Sequence, residues 1–273
     1  MSDLAGRLEV LDAHLRDLGS VVVAFSGGAD SAFLLAAAVR ALGPEQVVAA
    51  TAVSSSLPAT ELDGAAAVAR DLGVRHLTPR TEEMSRPGYV ANGADRCFHC
   101  KAELLHVLAP LAGELGLAAV ATGTNADDVV AGFRPGIRAA ALAGAVTPLC
   151  DAGLTKADVR EASRRWGLVT ADKPAAACLS SRVAYGLQIS PSRLGRIEHA
   201  ERALRETLAA AGLAVRDLRV RDLGERASVE VDADLVGVLA ERPDLLGAVE
   251  GWDEVEVDPR GFRSGSMNEA LAP

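Results

Sequence analysis

Val21-Val22-Val23-Ala24-Phe25, followed at once by Ser26-Gly27-Gly28-Ala29-Asp30-Ser31, decides how this chain is read. Five apolar residues in a row, three of them β-branched, make a strand buried on both faces. The two glycines let the backbone turn tightly and approach a ligand closely, and successive N–H groups in such a turn form a nest for an anion. Ser31 opens the apolar helical stretch that runs to Leu42, so the positive end of a helix dipole faces the same anion. The pattern is neither G-x-x-x-x-G-K-[ST] nor G-x-G-x-x-G. It predicts a phosphate loop built from Ser26, Gly27, Gly28, Asp30 and Ser31, with Asp30 placed to hold Mg²⁺ or to orient the turn.

Further along, residues 46–53 repeat the buried-strand pattern and 59–73 form an amphipathic helix. Residues 74–80 are a weaker strand. Residues 101–116 predict a helix with Pro110 as a kink, and 117–123 a further strand ending in Gly123-Thr124-Asn125-Ala126-Asp127-Asp128. Strands alternating with helices indicate an α/β fold with a parallel sheet covered on both faces, and such sheets bind ligands at the carboxyl ends of their strands. Beyond residue 150 the pattern changes. Residues 154–168 are a helix with Thr155 as N-cap and Asp158 in its first turn. A long helix spans 191–211, and its charged face reads as surface. Two alternating segments (214–223 and 227–234), a short helix near 235–246 and a strand at 254–257 complete a smaller α+β module. The expected domains are 1–187 and 188–273.

The chain has 273 residues, and 28 Lys and Arg against 37 Asp and Glu give a formal charge of −9. Lys101, Lys156 and Lys173 are its only lysines. No apolar run approaches the roughly 18 residues of a membrane span, and the start lacks the apolar block of a signal peptide. Four cysteines in a chain this large are not a disulfide framework and are expected to be reduced. The acidic balance argues against broad nucleic-acid binding. A cytoplasmic enzyme, without a nucleic-acid or membrane partner, is the expectation.

Ser26–Ser31 resembles the SGGxDS loop of the PP-loop ATP pyrophosphatases, a Rossmann-like fold of the adenine nucleotide α-hydrolase type, which cleave ATP between the α and β phosphates and adenylate a substrate. The resemblance implies ATP and Mg²⁺ as cofactors and puts Thr51, at the end of the second strand, near the adenosine. Gly123 and Asp128 end a later strand at the same sheet edge, where Asp127 and Asp128 serve either Mg²⁺ or a helix cap. Arg134 and Arg138 follow, with the fork geometry that suits phosphate or carboxylate.

The cysteines carry the rest of the decision. Cys97-Phe98-His99-Cys100-Lys101 is a C-x-x-C pair ahead of the 101–116 helix. Cys178 stands in Lys173-Pro174-Ala175-Ala176-Ala177-Cys178-Leu179-Ser180-Ser181-Arg182, where Lys173 and Arg182 are the cations that would favour a reactive thiolate. Cys150 reads as a small buried hydrophobe. Taken in order, SGGADS, DRCFHCK, GTNADD with FRPG, GLTKADVRE, DKPAAACLSSR and GFRSGSMN resemble the LarE family over nearly the whole chain. One departure is Ala184, where the family commonly has proline.

This resemblance implies ATP-dependent sulfur transfer onto the two carboxylates of pyridinium-3,5-biscarboxylic acid mononucleotide, in nickel-pincer cofactor biosynthesis, with Cys178 and Asp30 as catalytic residues. It implies a 4Fe–4S cluster on Cys97, Cys100 and Cys178, as in the family's three-cysteine branch. A sacrificial Cys178 that ends as dehydroalanine and a zinc site that adds Cys150 stay open, because thiolates suit both metals. Arg134, Arg182, Arg219, Arg221 and Arg263 are the expected substrate residues; Arg219 and Arg221 alternate and so share a strand face. The family also implies a homo-oligomer, a hexamer. Rival expectations are a tRNA-thiolating PP-loop enzyme, an ammonia-using amidase and a nucleotide-binding regulator. The acidic charge weighs against the first, and the cysteines against the others.

Overall fold

The computed structural model describes residues 4–130, 135–174, 177–263 and 265–271. The chain divides into two compact units, Met1–Arg86 with Asp95–Ala176, and Pro87–Ala94 with Ala177–Pro273. These limits differ from a single cut after residue 187. The reason is a set of non-local hydrogen bonds: the Tyr89 hydroxyl pairs with that of Ser180, and Asn92 Nδ2 donates to the carbonyls of Ala184 (2.8 Å) and Leu187 (2.9 Å). Residues 87–94 therefore belong with the segment that carries Cys178.

Within the first unit, β1 (Val21–Ala24), β2 (Val47–Ala50), β3 (Arg75–Leu77) and β4 (Ala119–Thr122) form a parallel sheet in the order β3-β2-β1-β4 among the described residues. This confirms the expected α/β architecture. Strand alternation splits the core in two. Val21, Val23, Phe25, Val47 and Ala49 pack with Leu11, Leu15 and Phe33 on one face. Val22, Val48, Ala50 and Val120 pack with Leu105, Leu108 and Ala140 on the other. Both faces being covered explains why the strands read as unbroken apolar runs rather than as alternation. From β1 the chain winds to β2 and β3, then returns to β1's other side as β4. That reversal is the crevice where open α/β sheets take their ligands.

Two local details differ from expectation. The helix expected from residue 101 starts at Arg96 and continues through Pro110 to Glu114, so Cys97 and Cys100 lie at its start rather than ahead of it. Gly93 is the last breaker before it, with Asp95 at the N-cap position. A further helix, Pro135–Leu142, begins at the proline of FRPG.

In the second unit, β5 (Leu218–Asp222) and β6 (Arg226–Val231) are antiparallel, and β7 (Glu254–Val257) lies parallel to β6. The helix Pro191–Ala210 supplies Ala200, Leu204 and Leu208 to a core shared with Leu218, Val220 and Val229. No helix among the described residues is long and apolar enough to cross a membrane.

Candidate active site

A cavity of about 410 Å³ opens at the carboxyl ends of β1 and β4, lined by the phosphate loop, Thr51, Gly123, Thr124 and Asp128. Sequence reasoning placed these residues at one sheet edge, and the sheet brings them together. Gly27 has φ +71°, and a side chain there would also press on Ala65 Cβ at 3.1 Å. Helical bonding starts with Ala32 N–H to Gly28 O (2.9 Å), so the N–H groups of the first turn have no intrahelical acceptor. Ser31 Oγ donates to Gly28 O (3.1 Å) and lies 3.1 Å from Ser26 Oγ, which holds the loop's shape. Gly123 is required for another reason. A Cβ on it would sit 2.9 Å from Ser31 N and 3.1 Å from the carbonyl carbon of Asp30, so β4 meets the helix start backbone to backbone.

Among the described residues, Asp30 Oδ1 and Asn125 Nδ2 are buried and make no hydrogen bond of normal geometry, although the Asn125 amide stands close enough to favour the Asp30 carboxylate. Burial pushes the Asp30 carboxyl above the usual carboxylate range; Lys156 opposes the rise and Asp128 adds to it. Asn125 Oδ1 accepts from Asp128 N (3.1 Å), and Asp128 Oδ2 accepts from Asn125 N (3.2 Å). Asp127 turns away to accept from Lys156 N (2.8 Å), which makes it a helix cap. Thr51 donates to Phe25 O (2.7 Å) and lies 2.8 Å from His76 Nε2. Because its one proton is used, the imidazole must donate to it. Its hydroxyl therefore ties neighbouring strands together.

Lys101, Lys156, Arg160 and Lys173 also line the cavity. Burial pushes the Lys101 ammonium below the usual lysine range, against the pull of Cys100 and Cys97. Lys173 Nζ donates to Glu61 Oε2 (2.7 Å) and to Gly27 O (3.0 Å), so its charge serves the phosphate loop.

Cys178 precedes a short 3-10 turn, Leu179–Arg182, in the second unit. Arg182 Nη1 donates to the carbonyls of Ala177 and Cys178, and its Nε donates to Glu201 Oε1 at 3.0 Å. The expected thiolate-activating cation thus fixes the backbone around the cysteine and is itself fixed by a carboxylate. The Ala184 N–H donates to Asp222 O at 2.9 Å, a bond that a proline there would lack. Arg221 is buried against Glu230 Oε2 (2.6 Å) and Ser266 Oγ (3.0 Å). Arg219 sits over the Phe262 ring, and burial, aided by Arg182 and Arg221, brings its pKa to about 10. Arg263 pairs with Asp258 (3.5 Å) and Glu269 (3.2 Å). Arg134 lies outside the described residues.

None of Cys97, Cys100, Cys150 and Cys178 forms a disulfide. Burial, with Asp151 and Asp128 nearby, pushes the Cys150 thiol up, which fits an inert packing residue. Cys97 and Cys100 are three residues apart on one helix and so share a face. No group of three or more His, Cys, Asp or Glu is gathered as a metal site among the described residues. Sequence reasoning passed over Tyr89, Asn92 and Glu201. Glu201 lies on the helix read as surface, yet it accepts from both Arg182 and Val220 N (3.1 Å). It also passed over Arg160, whose signal is its i, i+4 spacing from Lys156.

Residues 9–89 match the NAD synthase family. The chain is 37% identical to an uncharacterized Synechocystis sp. protein, over 98% of this chain and 99% of that one. It is 32% identical to the pyridinium-3,5-bisthiocarboxylic acid mononucleotide synthase of Lactiplantibacillus plantarum, over 99% of this chain and 97% of that one. A Methanocaldococcus jannaschii protein is 27% identical over 64% of this chain and 67% of its own length.

Proposed function

The chain belongs to the LarE family of ATP-dependent PP-loop enzymes, and we propose that it is the sulfur transferase that converts both carboxylates of pyridinium-3,5-biscarboxylic acid mononucleotide to thiocarboxylates. The observation that carries the proposal is the cavity at the sheet's switch point, where the phosphate loop faces lysines on three separate segments. In the first half-reaction a substrate carboxylate oxygen attacks the α-phosphorus of ATP. The bond to the β-bridging oxygen breaks and pyrophosphate leaves. The loop N–H groups and the cavity cations carry the charge of the phosphates. Asp30 Oδ1, buried beside Asp128 without a hydrogen bond of normal geometry among the described residues, suits the hard oxygen coordination of Mg²⁺, which would neutralise phosphate charge. In the second half-reaction sulfur attacks the acyl carbon and the bond to AMP breaks.

Cys97, Cys100 and Cys178 are incompletely buried and outside any disulfide, and three soft thiolates are a donor set that fits an iron–sulfur cluster. A 4Fe–4S cluster on three thiolates leaves one iron open to carry a transferable sulfide. Arg182 and Glu201 hold the Cys178 backbone. Arg219 in the second module (188–273) receives an anionic group of the substrate, with Arg134 of the first module as a further candidate; Arg221 and Arg263, paired with Glu230 and with Asp258 and Glu269, shape that module rather than meet the anion. The second module also carries the homo-oligomer contacts. Cysteines outside any disulfide support a cytoplasmic setting for the reaction.

ATP–pyrophosphate exchange that depends on the pyridinium mononucleotide, with tRNA and nicotinate adenine dinucleotide as alternatives, tests the first half. Exchange driven by tRNA would overturn it. Anaerobic purification with iron and sulfide analysis tests the second. A colourless protein with multiple turnovers, or dehydroalanine at position 178 after one turnover, would overturn the cluster.

A further inference from the structure

Beyond the carboxyl ends of β2 and β3, at the same edge of the sheet as the phosphate loop, lies a second cavity of about 610 Å³. Val53 and Ser54 reach it from the end of β2, and Arg80, Glu83 and Met84 from the segment after β3. Its base is firm. The Val53 N–H donates to Pro79 O (2.9 Å) and the Thr81 N–H to Val53 O (3.2 Å), which extends the parallel pairing past the strands. Open α/β sheets take ligands at this end of their strands. The function proposed above uses none of these residues.

Glu83 is only 3% exposed, a costly place for a carboxylate. Ser54 Oγ and Ser56 Oγ (2.9 Å) both donate to the same oxygen, Oε1. The other oxygen, Oε2, receives no hydrogen bond among the described residues and is not sealed from solvent, so it opens into the cavity that Glu83 lines. A glutamine would serve the two serines equally well, since its Oε1 also accepts. The negative charge is therefore surplus to the local structure. Arg80 lines the same cavity, is exposed, and forms no ion pair among the described residues, with Glu83 or with any other carboxylate. Opposite charges thus share one cavity without neutralising each other.

We propose that this cavity binds a free α-amino acid as a zwitterion, its ammonium on Glu83 Oε2 and its carboxylate on Arg80. The ammonium brings donors to the acceptor that lacks one, and the guanidinium fork matches a carboxylate in bidentate fashion. A simple anion would be repelled by Glu83 and a simple cation by Arg80, so the cavity selects a ligand that carries both charges. Val53 and Met84 add apolar surface, which suits a small aliphatic or thiol side chain such as that of alanine or cysteine. The inference concerns binding alone and does not depend on the adenylating reaction.

Calorimetric titration of the full chain with L-alanine and L-cysteine, against propionate and ethylamine, tests this assignment. Propionate lacks the ammonium and ethylamine the carboxylate, so each is expected to bind at least about tenfold more weakly than alanine. Glu83→Gln should weaken alanine about tenfold or more with Tm unchanged, because both serines keep their acceptor. Arg80→Gln, at an exposed position, should weaken alanine and propionate alike and leave ATP–pyrophosphate exchange at the wild-type rate. If Glu83→Gln fails to fold, Arg80→Gln decides. A wild type that binds neither amino acid at millimolar concentration overturns the inference, and so does alanine bound no tighter than propionate. Unchanged alanine affinity in either variant overturns it too. Loss of substrate-dependent exchange beside intact alanine binding strikes the adenylation reading and leaves this inference standing.

Discussion

The cavity of the first unit and the Cys178 region of the second handle positive charge in opposite ways. Around the cavity, among the described residues, Lys156 and Arg160 have no carboxylate at ion-pair distance, and the buried Asp30 Oδ1 makes no hydrogen bond of normal geometry. Around Cys178, Arg182 ends on Glu201, Arg221 on Glu230, and Arg193 and Arg196 on Asp222. A buried ion pair that is geometrically satisfied gives position and rigidity, and losing one partner strands the other. A cation left without a partner in an acidic protein awaits an anion. Under the proposed function, the first arrangement takes up and releases a ligand, and the second keeps Cys178 and its neighbours in place.

The most severe challenge to this contrast is Cys178→Ser. It should lower sulfur transfer by roughly 10³-fold or more, because an alcohol replaces the thiolate. ATP–pyrophosphate exchange should survive, since the phosphate loop and its cations are untouched. Loss of both activities together would show that the two regions do not divide the work. Next in size is Asp222→Asn, which leaves Arg193 and Arg196 without the buried carboxylate that each touches at 2.7–2.8 Å. A loss of about 3 kcal/mol is expected in urea unfolding. Burial raises the Asp222 pKa, but the Gly224 N–H, Arg196 and Arg193 more than offset it, so the net shift is downward. The stabilisation is therefore complete above the ordinary aspartate range and disappears as pH falls through the lowered value. The asparagine protein should lose that acid limb, so the stabilities of the two proteins converge toward low pH.

The satisfied region is the less legible of the two in sequence, and the reason is physical. A buried strand, a glycine pair and a helix start are local signals, so β1 and the phosphate loop can be read from consecutive residues. The pairing of Tyr89 with Ser180 and of Arg182 with Glu201 joins residues 91 and 19 positions apart, and no local pattern announces it. Glu201 resembles a surface residue because its helix is charged on most sides. The helix start at Arg96 escapes a sequence reading because a C-x-x-C pair suggests a ligand loop, whereas nothing between Arg96 and Lys101 breaks a helix. Lys156 and Arg160 are visible in principle: a chain that uses arginine almost everywhere keeps lysine at three positions, and those three converge.

Gly123→Ala is a smaller and more specific challenge. The new Cβ meets backbone atoms of Ser31 and Asp30, which cannot rotate aside, so β4 and the helix start must separate. Strain of about 2 kcal/mol is expected, together with weaker ATP binding. Preserved ATP affinity would mean that the cavity tolerates a wider gap than its cations imply.

The mildest effect is expected at Lys173, which refines the contrast because it is a cavity lysine that is paired. Its ammonium holds Gly27 O at 3.0 Å while Glu61 holds the ammonium at 2.7 Å. The peptide joining Gly27 to Gly28 is planar and trans, so its C=O and N–H point in opposite directions. Drawing the carbonyl toward Lys173 turns the Gly28 N–H inward, toward Ser26 Oγ at 3.4 Å. The lysine thus stabilises the loop in its anion-accepting form by removing an oxygen that would repel phosphate. Lys173→Met should raise KM for ATP by about tenfold, the equivalent of one charged hydrogen bond, with little change in kcat. Glu61→Gln keeps an acceptor but not its charge, and should fall between wild type and the methionine variant. A fall in kcat at unchanged KM would mean that Lys173 meets the transition state directly. In that case the ion pair with Glu61 is a resting state, and Lys173 acts as a cavity cation rather than as a brace for the loop.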